Sequence, residues 1–404
     1  MCRTIIAHPS VAEQTDILIV GAGIFGTTAA IEFASRGYQV ILLDEVFHPH
    51  PLAASTDISK VVRAEYGSDR QYIEMALKSI DGFRTWNKAM DKNLFHETGI
   101  CCFTIEEMSQ GGFEYDCYKT LRQMGVDVER LSKDDIARRF PAWNHDSFVD
   151  GTFNPVGGYV ESGKLMTHLF EQVNQLSIRR IDSKLEHLTF SGMAVTGGTT
   201  RSGLNLVANH TLIAAGAWTP DFLPELKNIL FSTGHPVFHL DVSDKPWFSP
   251  PHFATYMADI ARSGWYGFPV HPTEGILKIG RHSNGVLINA DAPERLVQQT
   301  DEEGLRAFLT MAFPSIADAR IVYRRLCLYC DTESGDFLID NHPERPGLSV
   351  ASGGSGHGFK FAPILGRLIA DSVERIPNEW LDRFKWREQD EDVLSKEASR
   401  HRSD

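Results

Sequence analysis

The sequence predicts an α/β fold in two domains, and three observations carry that prediction. Its 404 residues exceed what one hydrophobic core usually serves. Near the N-terminus, residues 16–45 run as an apolar stretch, a glycine-rich turn, a helical pattern and a second apolar stretch ending in acid. Near the C-terminus, "GLSVASGGSGHGFKFAPILGRLIADSVE" again reads strand, glycine loop, helix. A Rossmann-like nucleotide-binding sheet assembled from both ends of the chain, with an α+β domain on a mixed sheet inserted in the middle, accounts for all three.

In "DILIVGAGIFGTTAAIEFASRGYQVILLDE", residues 17–20 form a short apolar run stopped by Gly21, as a strand buried on both faces requires. Ala29, Ala30, Phe33 and Ala34 follow at helical spacing, and Gly37 is placed to end the helix. Residues 72–90 and 113–126 read as helices, and "TLIAAGAW" (211–218) as a strand ending at a glycine. "GWYGFPVHPTEGILKIGRHS" (264–283) reads as two strands joined by a polar, proline-containing turn. Ile364, Leu365, Leu368, Ile369 and Val373 make one apolar face of a last helix. The expected division is 14–85, 150–220 and 325–378 for the nucleotide domain and 86–149 and 221–324 for the substrate domain. Residues 379–404 are expected to be a charge-rich C-terminal extension.

A formal charge of -13 excludes a phosphate-backbone partner, which needs clustered Lys and Arg. No apolar run approaches the roughly 18 residues of a membrane helix. The first fifteen residues lack the apolar core of a secretory signal, and "SRHRSD" is not the Ser-Lys-Leu peroxisomal tripeptide. A cytoplasmic monomer, binding neither nucleic acid nor membrane, is the expectation. Six cysteines are too sparse and irregular for a disulfide framework.

Gly21-x-Gly23-x-x-Gly26 sits between strand and helix, with Asp44 at the end of the next strand. In that context the glycines let a pyrophosphate approach the helix N-terminus, alongside Ile24, and Asp44 is placed to accept hydrogen bonds from a ribose. The motif does not decide between NAD and FAD. A second glycine loop, "SGGSGHGFKF" (352–361), exceeds what one dinucleotide needs. It is explained if Gly356, Phe359 and the helix start face a group that becomes negative, such as the N1/C2 carbonyl edge of a reduced flavin. Gly353-x-Ser355-x-His357 is not the Gly-x-Ser-x-Gly elbow of a hydrolase. The residues alone leave Lys360 equally open to a solvated position.

Cys327-Leu-Tyr-Cys330 admits a metal site, a dithiol couple or two unrelated thiols. Zinc needs two further ligands, and the sequence offers only the loop-like "HPHP" at 48–51. On an extended "RRLCLY", residues three apart point to opposite faces, which separates the two cysteines and leaves no metal site.

Taken in order, "DILIVGAGIFG", "TDISKVVRAEYG", "GWYGFP" with "LKIGRHS", "LCLYCDT" with "DFLIDNHP", and "SGHGFKF" resemble the flavin amine oxidases of the monomeric sarcosine oxidase type. That family includes pipecolate, saccharopine and fructosyl-amino-acid oxidases. The resemblance implies an FAD-binding domain, oxidation of the C–N bond of an amino-acid-derived secondary amine to an imine, and reduction of O2 to hydrogen peroxide. It implies FAD held covalently through Cys327, whose thiolate Arg324 and Arg325 would stabilise. It puts the substrate carboxylate on Arg63 and Lys360, Lys60 against the flavin, Lys278 at the oxygen reaction, and Tyr266 and His282 along the site. From the residues alone, Arg63 could instead pair with Glu65 or Glu74 at the surface. Lys60 and Lys278 could likewise be solvated, and Tyr266 and His282 could simply pack. "AASTDIS" replaces the histidine of the sarcosine oxidases and is closer to the fungal-type pipecolate and fructosyl-amino-acid enzymes, which points away from sarcosine itself. An NAD-linked dehydrogenase would share the first fingerprint but leave Cys327 and the second glycine loop unexplained. A flavin-binding protein without turnover would tolerate the loss of Lys278 or Arg63, and both are present.

Overall fold

A computed structural model describes residues 13–47, 53–292, 294–387 and 397–400. The "HPHP" histidines and Cys2 lie outside the described residues.

The first strand, β1 (Glu13–Val20), is buried on both faces along its apolar half. Its alternate side chains feed two cores: Ile17 and Ile19 pack beneath the helices on one side, Leu18 and Val20 join Leu43 and Val350 on the other. β1 pairs in parallel with β2 (Val40–Asp44) on one flank and with the strand Asn205–Ile213 on the other. Parallel partners continue outward, Arg179–Asp182 beside β2 and Leu348–Ser352 beside Asn205–Ile213. An antiparallel hairpin, Leu185–Ser191 with Ala194–Thr200, and the strand Leu338–Asn341 complete eight strands. A parallel sheet of this kind needs helices over its face. Helix α1 (Ile24–Ser35) supplies one and the late helix Ala362–Val373 lies against it, locked by Arg36 to Asp371 at 2.7 Å and Glu374 at 2.6 Å.

The second sheet has nine strands, mostly antiparallel, around an aromatic core that includes Trp143, Tyr256 and Phe313. Trp265–Gly267 and Leu277–Arg281 are the antiparallel pair expected across the proline-containing turn. Helices Arg70–Met90 and Phe113–Gln123 occupy the two segments expected to be helical. The expected α/β architecture, a Rossmann-like domain carrying a second domain on a mixed sheet, is the one observed.

The seams differ in detail. Asp150–Asn154 pairs with Ile100–Thr104 in the nine-stranded sheet, as does Arg320–Asp331 with Phe231–Asp241, so the segments beginning at 150 and 325 each start with a strand of the second sheet. The strand expected at 211–218 ends at Ile213, and residues 216–218 turn as a short 3-10 helix. The C-terminal extension is only partly an extension. Phe384 is buried, Arg383 pairs with Asp69 at 2.6 Å and Asp336 at 2.7 Å, and Ser399 and Arg400 are buried. Among the described residues no helix is long and apolar enough to cross a membrane.

Candidate active site

The glycine fingerprint builds a cleft at the C-terminal end of β1. Gly21 has φ +105°, and a Cβ on Gly26 would lie 1.8 Å from the Gly21 carbonyl oxygen, so only glycine lets α1 start this close to the strand. Asp44, at the end of β2, accepts a hydrogen bond from the Ala22 amide at 2.6 Å, which turns its carboxylate toward the glycine turn. The Ile24 amide donates to Ser55 Oγ at 2.9 Å. A cavity of about 420 Å³ opens here. Gly21, Gly23, Ile24, Asp44 and Lys60 line it, and Gly356 and Phe359 of the second loop close it from the other side, while Gly26 lies beneath as a packing residue. Glycine amides, a helix start and an acid at the strand end suit a dinucleotide.

The second loop is shaped by Tyr329. Gly356 has φ +73°, and a Cβ there would sit 2.2 Å from the Tyr329 ring. Lys360, whose position the residues alone left open, is 4% exposed and donates to Tyr66 Oη at 2.9 Å. His357 Nε2 lies 2.8 Å from the Gly335 carbonyl, which requires a proton on that nitrogen and leaves Nδ1 to accept from Tyr66 Oη at 3.0 Å. Burial lowers the His357 pKa to about 3, in keeping with a neutral ring.

Cys327 lies on the strand Arg320–Asp331, with its Sγ 3.8 Å from Lys60 Nζ. Burial pushes its thiol pKa up, but the charges of Lys60 and Arg325 outweigh that and the net shift is downward. Only one of the two expected arginines contributes, because Arg324 faces outward and pairs with Glu302 at 2.5 Å. Cys330 points the other way, as extended geometry requires. Its Sγ lies 3.3 Å from Ser352 Oγ, and burial raises its pKa to about 11.

A buried carboxylate organises the bases beside Cys327. Asp57 pairs with Lys278 at 2.7 Å, Arg325 at 3.0 Å and His239 at 3.3 Å. Burial would raise the Asp57 pKa, and the charge of Lys278, the His239 hydrogen bond and the charge of Arg325 hold it well below the usual carboxylate range. Lys278 is 2% exposed, so the solvated alternative fails: Leu277 and Ile279 enter the core and Lys278 projects the other way, donating also to the Ser59 carbonyl at 2.5 Å. Burial lowers its pKa to about 8 against the opposing charge of Asp57.

Arg63 is 5% exposed. It does not pair with Glu65, which accepts from Asn154 at 2.7 Å, nor with Glu74, which faces solvent on its helix. The Arg63 guanidinium lies 4.8 Å from the Tyr66 ring centre and Lys360 Nζ lies 5.0 Å from it, so both basic side chains converge over one ring, where burial and then Arg63 hold the Lys360 pKa well below that of a free lysine. Arg63 Nη1 is buried without a hydrogen-bond partner among the described residues. Nη2 donates to Ser399 Oγ at 3.0 Å. His282 Nε2 is 2.9 Å from Glu397. Tyr266 hydrogen-bonds Tyr329, and burial and the neighbouring Cys327 raise its pKa.

Of the expected site residues, Gly21, Gly23, Ile24, Asp44, Lys60, Gly356 and Phe359 line the cleft; Cys327 meets it through Lys60, and Arg63, Tyr266, Lys278, His282 and Lys360 lie outside its lining. The structure adds Tyr329, stacked on His235 at 3.9 Å, and Asp57, Tyr66, Glu397, Ser399 and Arg400. Strand alternation from Cys327 would have found Tyr329, and a lone acid next to Lys60 would have found Asp57. Nothing in the pattern of the tail singles out Glu397.

The profile described as FAD dependent oxidoreductase matches residues 16–372. The chain is 27% identical over 360 residues to a monomeric sarcosine oxidase of Bacillus sp. (strain B-0618), covering 88% of this chain and 91% of the relative. It is 26% identical over 420 residues to an L-saccharopine oxidase of Schizosaccharomyces pombe, covering 93% of each. An N-methyl-L-tryptophan oxidase of Salmonella agona is 25% identical over 375 residues, 92% of this chain and 98% of that one. The crystal structure of a fructosamine oxidase from Aspergillus fumigatus superposes with a TM-score of 0.81 at 23% identity, covering 98% of this chain and 95% of that one, a likeness of fold. The family expected from the motifs is the one found: this chain belongs to the FAD-dependent oxidoreductases.

Proposed function

We propose that the protein is an FAD-dependent oxidase of amino-acid-derived secondary amines, N-methyl, cyclic or N-alkylated, and that it holds FAD covalently through Cys327. The observation that carries the reading is the pair Arg63 and Lys360, both buried over Tyr66 beside the nucleotide cleft, with Arg63 Nη1 awaiting a partner. A planar guanidinium fork matches a carboxylate bidentately, and Lys360, positioned by Tyr66, adds a second donor whose charge burial and Arg63 disfavour and a bound carboxylate would restore. Such a clamp fixes the orientation of the adjoining C–N bond.

Bound FAD would supply the redox chemistry, uptake of a hydride equivalent from that bond and transfer of two electrons to oxygen to give hydrogen peroxide. The protein's own groups position and polarise. Lys278, held by Asp57 and the Ser59 carbonyl, keeps a positive charge in a dry site where oxygen becomes anionic. Tyr266 hydrogen-bonds Tyr329 beside Cys327, and the His282 ring centre lies 6.1 Å from that of Tyr329. Lys60 and Arg325 favour the Cys327 thiolate, the form that can make a thioether. The imine leaves and hydrolyses or cyclises in water.

The test is a screen of N-methyl, cyclic and N-alkyl amino acids with peroxide detection on the yellow holoenzyme. Turnover of one class is expected, and none would sink the oxidase reading. Acid precipitation should leave the colour in the pellet of the wild type and in the supernatant of Cys327→Ser. A coloured Cys327→Ser pellet would refute the assignment of the tether.

A further inference from the structure

The recess over Tyr66 already contains an anion supplied by the chain itself. Glu397 lies 2.9 Å from His282 Nε2 and accepts from Ser399, from Oγ at 2.6 and 2.7 Å and from the amide at 3.2 Å. The same Ser399 Oγ accepts from Arg63 Nη2 at 3.0 Å, so one hydroxyl relays the guanidinium to the carboxylate. Arg400 fastens this segment. Its two terminal nitrogens each lie 2.8 Å from an Asp331 oxygen, and Nη2 also reaches the Ser355 carbonyl at 3.2 Å, with both side chains buried. Three successive contacts therefore seat the tail on three walls: His282, Arg63 and the strand end beyond Cys327.

The fit is incomplete in one respect. Glu397 reaches Arg63 only through Ser399, and Nη1 remains buried without a partner among the described residues. A substrate carboxylate forked on Arg63 would satisfy both nitrogens, take the place of Ser399 and bring a second negative charge beside Glu397. Two carboxylates in one buried recess repel strongly. Burial would raise the Glu397 pKa, and His282 and Arg63 outweigh it and hold the carboxyl well below the usual range, which favours the charged form.

We propose that Glu397 determines specificity in this site: it is an internal anion that the substrate carboxylate displaces from the Arg63–Lys360 recess, so that amines with little further contact bind weakly. The inference rests on the carboxylate-clamp reading of the proposed function. It gives small N-methyl amino acids a handicap that larger amines offset through additional contacts.

The experiment uses benzoate, a carboxylate with no oxidisable C–N bond, titrated against the holoenzyme by flavin absorbance. Glu397→Gln keeps the shape and removes the charge, and should bind benzoate at least about tenfold more tightly than the wild type. The KM for any amine found by the screen should fall with it. Equal or weaker benzoate binding in the variant, or none in either form, overturns the proposal. A second measurement needs no variant: hydrogen–deuterium exchange of the peptide containing residues 397–400 in wild-type holoenzyme should rise when benzoate is added. Unchanged or lower exchange overturns displacement however the variant behaves. Should the amine screen give no turnover, the oxidase reading fails by itself, while the benzoate titration and the exchange still decide the role of the tail.

Discussion

Replacing Lys60 by Met removes the cation nearest Cys327 while leaving the thiol and Arg325 in place. At 3.8 Å, opposite unit charges in an effective dielectric of about 20 attract by about 4 kcal/mol. Lys60 is only partly buried, so solvent screening reduces this to a working range of about 2–4 kcal/mol. At about 1.4 kcal/mol per decade, the thiolate fraction near neutral pH drops by roughly 30-fold to 1,000-fold. A more basic thiolate is a better nucleophile, and a Brønsted coefficient of about 0.4–0.5, as for attack on disulfides, restores roughly half of that loss on a logarithmic scale. Covalent incorporation should therefore slow by about 5-fold to 30-fold. Apoprotein from riboflavin-starved cells is mixed with saturating FAD, samples are acid-precipitated at intervals, and flavin in the pellet is measured from pH 6 to about 10. The Lys60→Met deficit should shrink as pH rises, and Lys60→Arg should stay close to wild type. A Lys60→Met protein that incorporates flavin at the wild-type rate across this range would refute the electrostatic account of the thiolate.

Three further outcomes are expected. Lys278 carries its charge below a pKa of about 8 and loses it above, so reoxidation of the reduced enzyme by oxygen, followed by stopped flow, should slow as pH rises through about 8. Lys278→Met should lower that rate by about 100-fold to 1,000-fold at neutral pH and abolish the pH step; a step that persists assigns it to another group. Arg63→Gln should raise KM for a carboxylate-bearing amine by about 30-fold or more, with a smaller effect on the matching amide substrate, and an equal effect on both would remove Arg63 from carboxylate recognition. Gly26→Ala forces a Cβ to within 1.8 Å of the Gly21 carbonyl, a backbone clash that should cost about 1–3 kcal/mol and weaken FAD retention, visible as a lower Tm and a paler purified protein.

The nucleotide half of the fold was legible because each local signal had one physical reading. Residues 17–20 could be buried on both faces only in a sheet covered by helices, and Gly21, Gly26 and Asp44 hold positions that other side chains would block or leave without a role. The separation of Cys327 from Cys330 followed from strand geometry alone. Burial of charge was not legible. Lys278 and Lys360 look like surface lysines until Asp57 and Tyr66 are seen beside them, and those partners lie 221 and 294 residues away in sequence. Arg324 and Arg325 could not be told apart without knowing which face of the strand met Asp57. The tail was the least legible part, since "SKEASR" has the composition of a solvated end, and its place is fixed by contacts to distant residues, His282, Arg63 and Asp331.

The strand Arg320–Asp331 has a mechanical consequence. Along most of its length it is hydrogen-bonded to Phe231–Asp241 in the nine-stranded sheet, yet Cys330 near its end touches Ser352 in the eight-stranded one. It runs through both halves of the molecule like a pin through a joint, and jaw-like opening of the cleft would have to shear it. Ligands must then come and go by movements on the scale of side chains and short segments. On that ground the Asp57–Lys278 and Lys60–Cys327 contacts are expected to persist through turnover, in a stiff frame rather than a hinge.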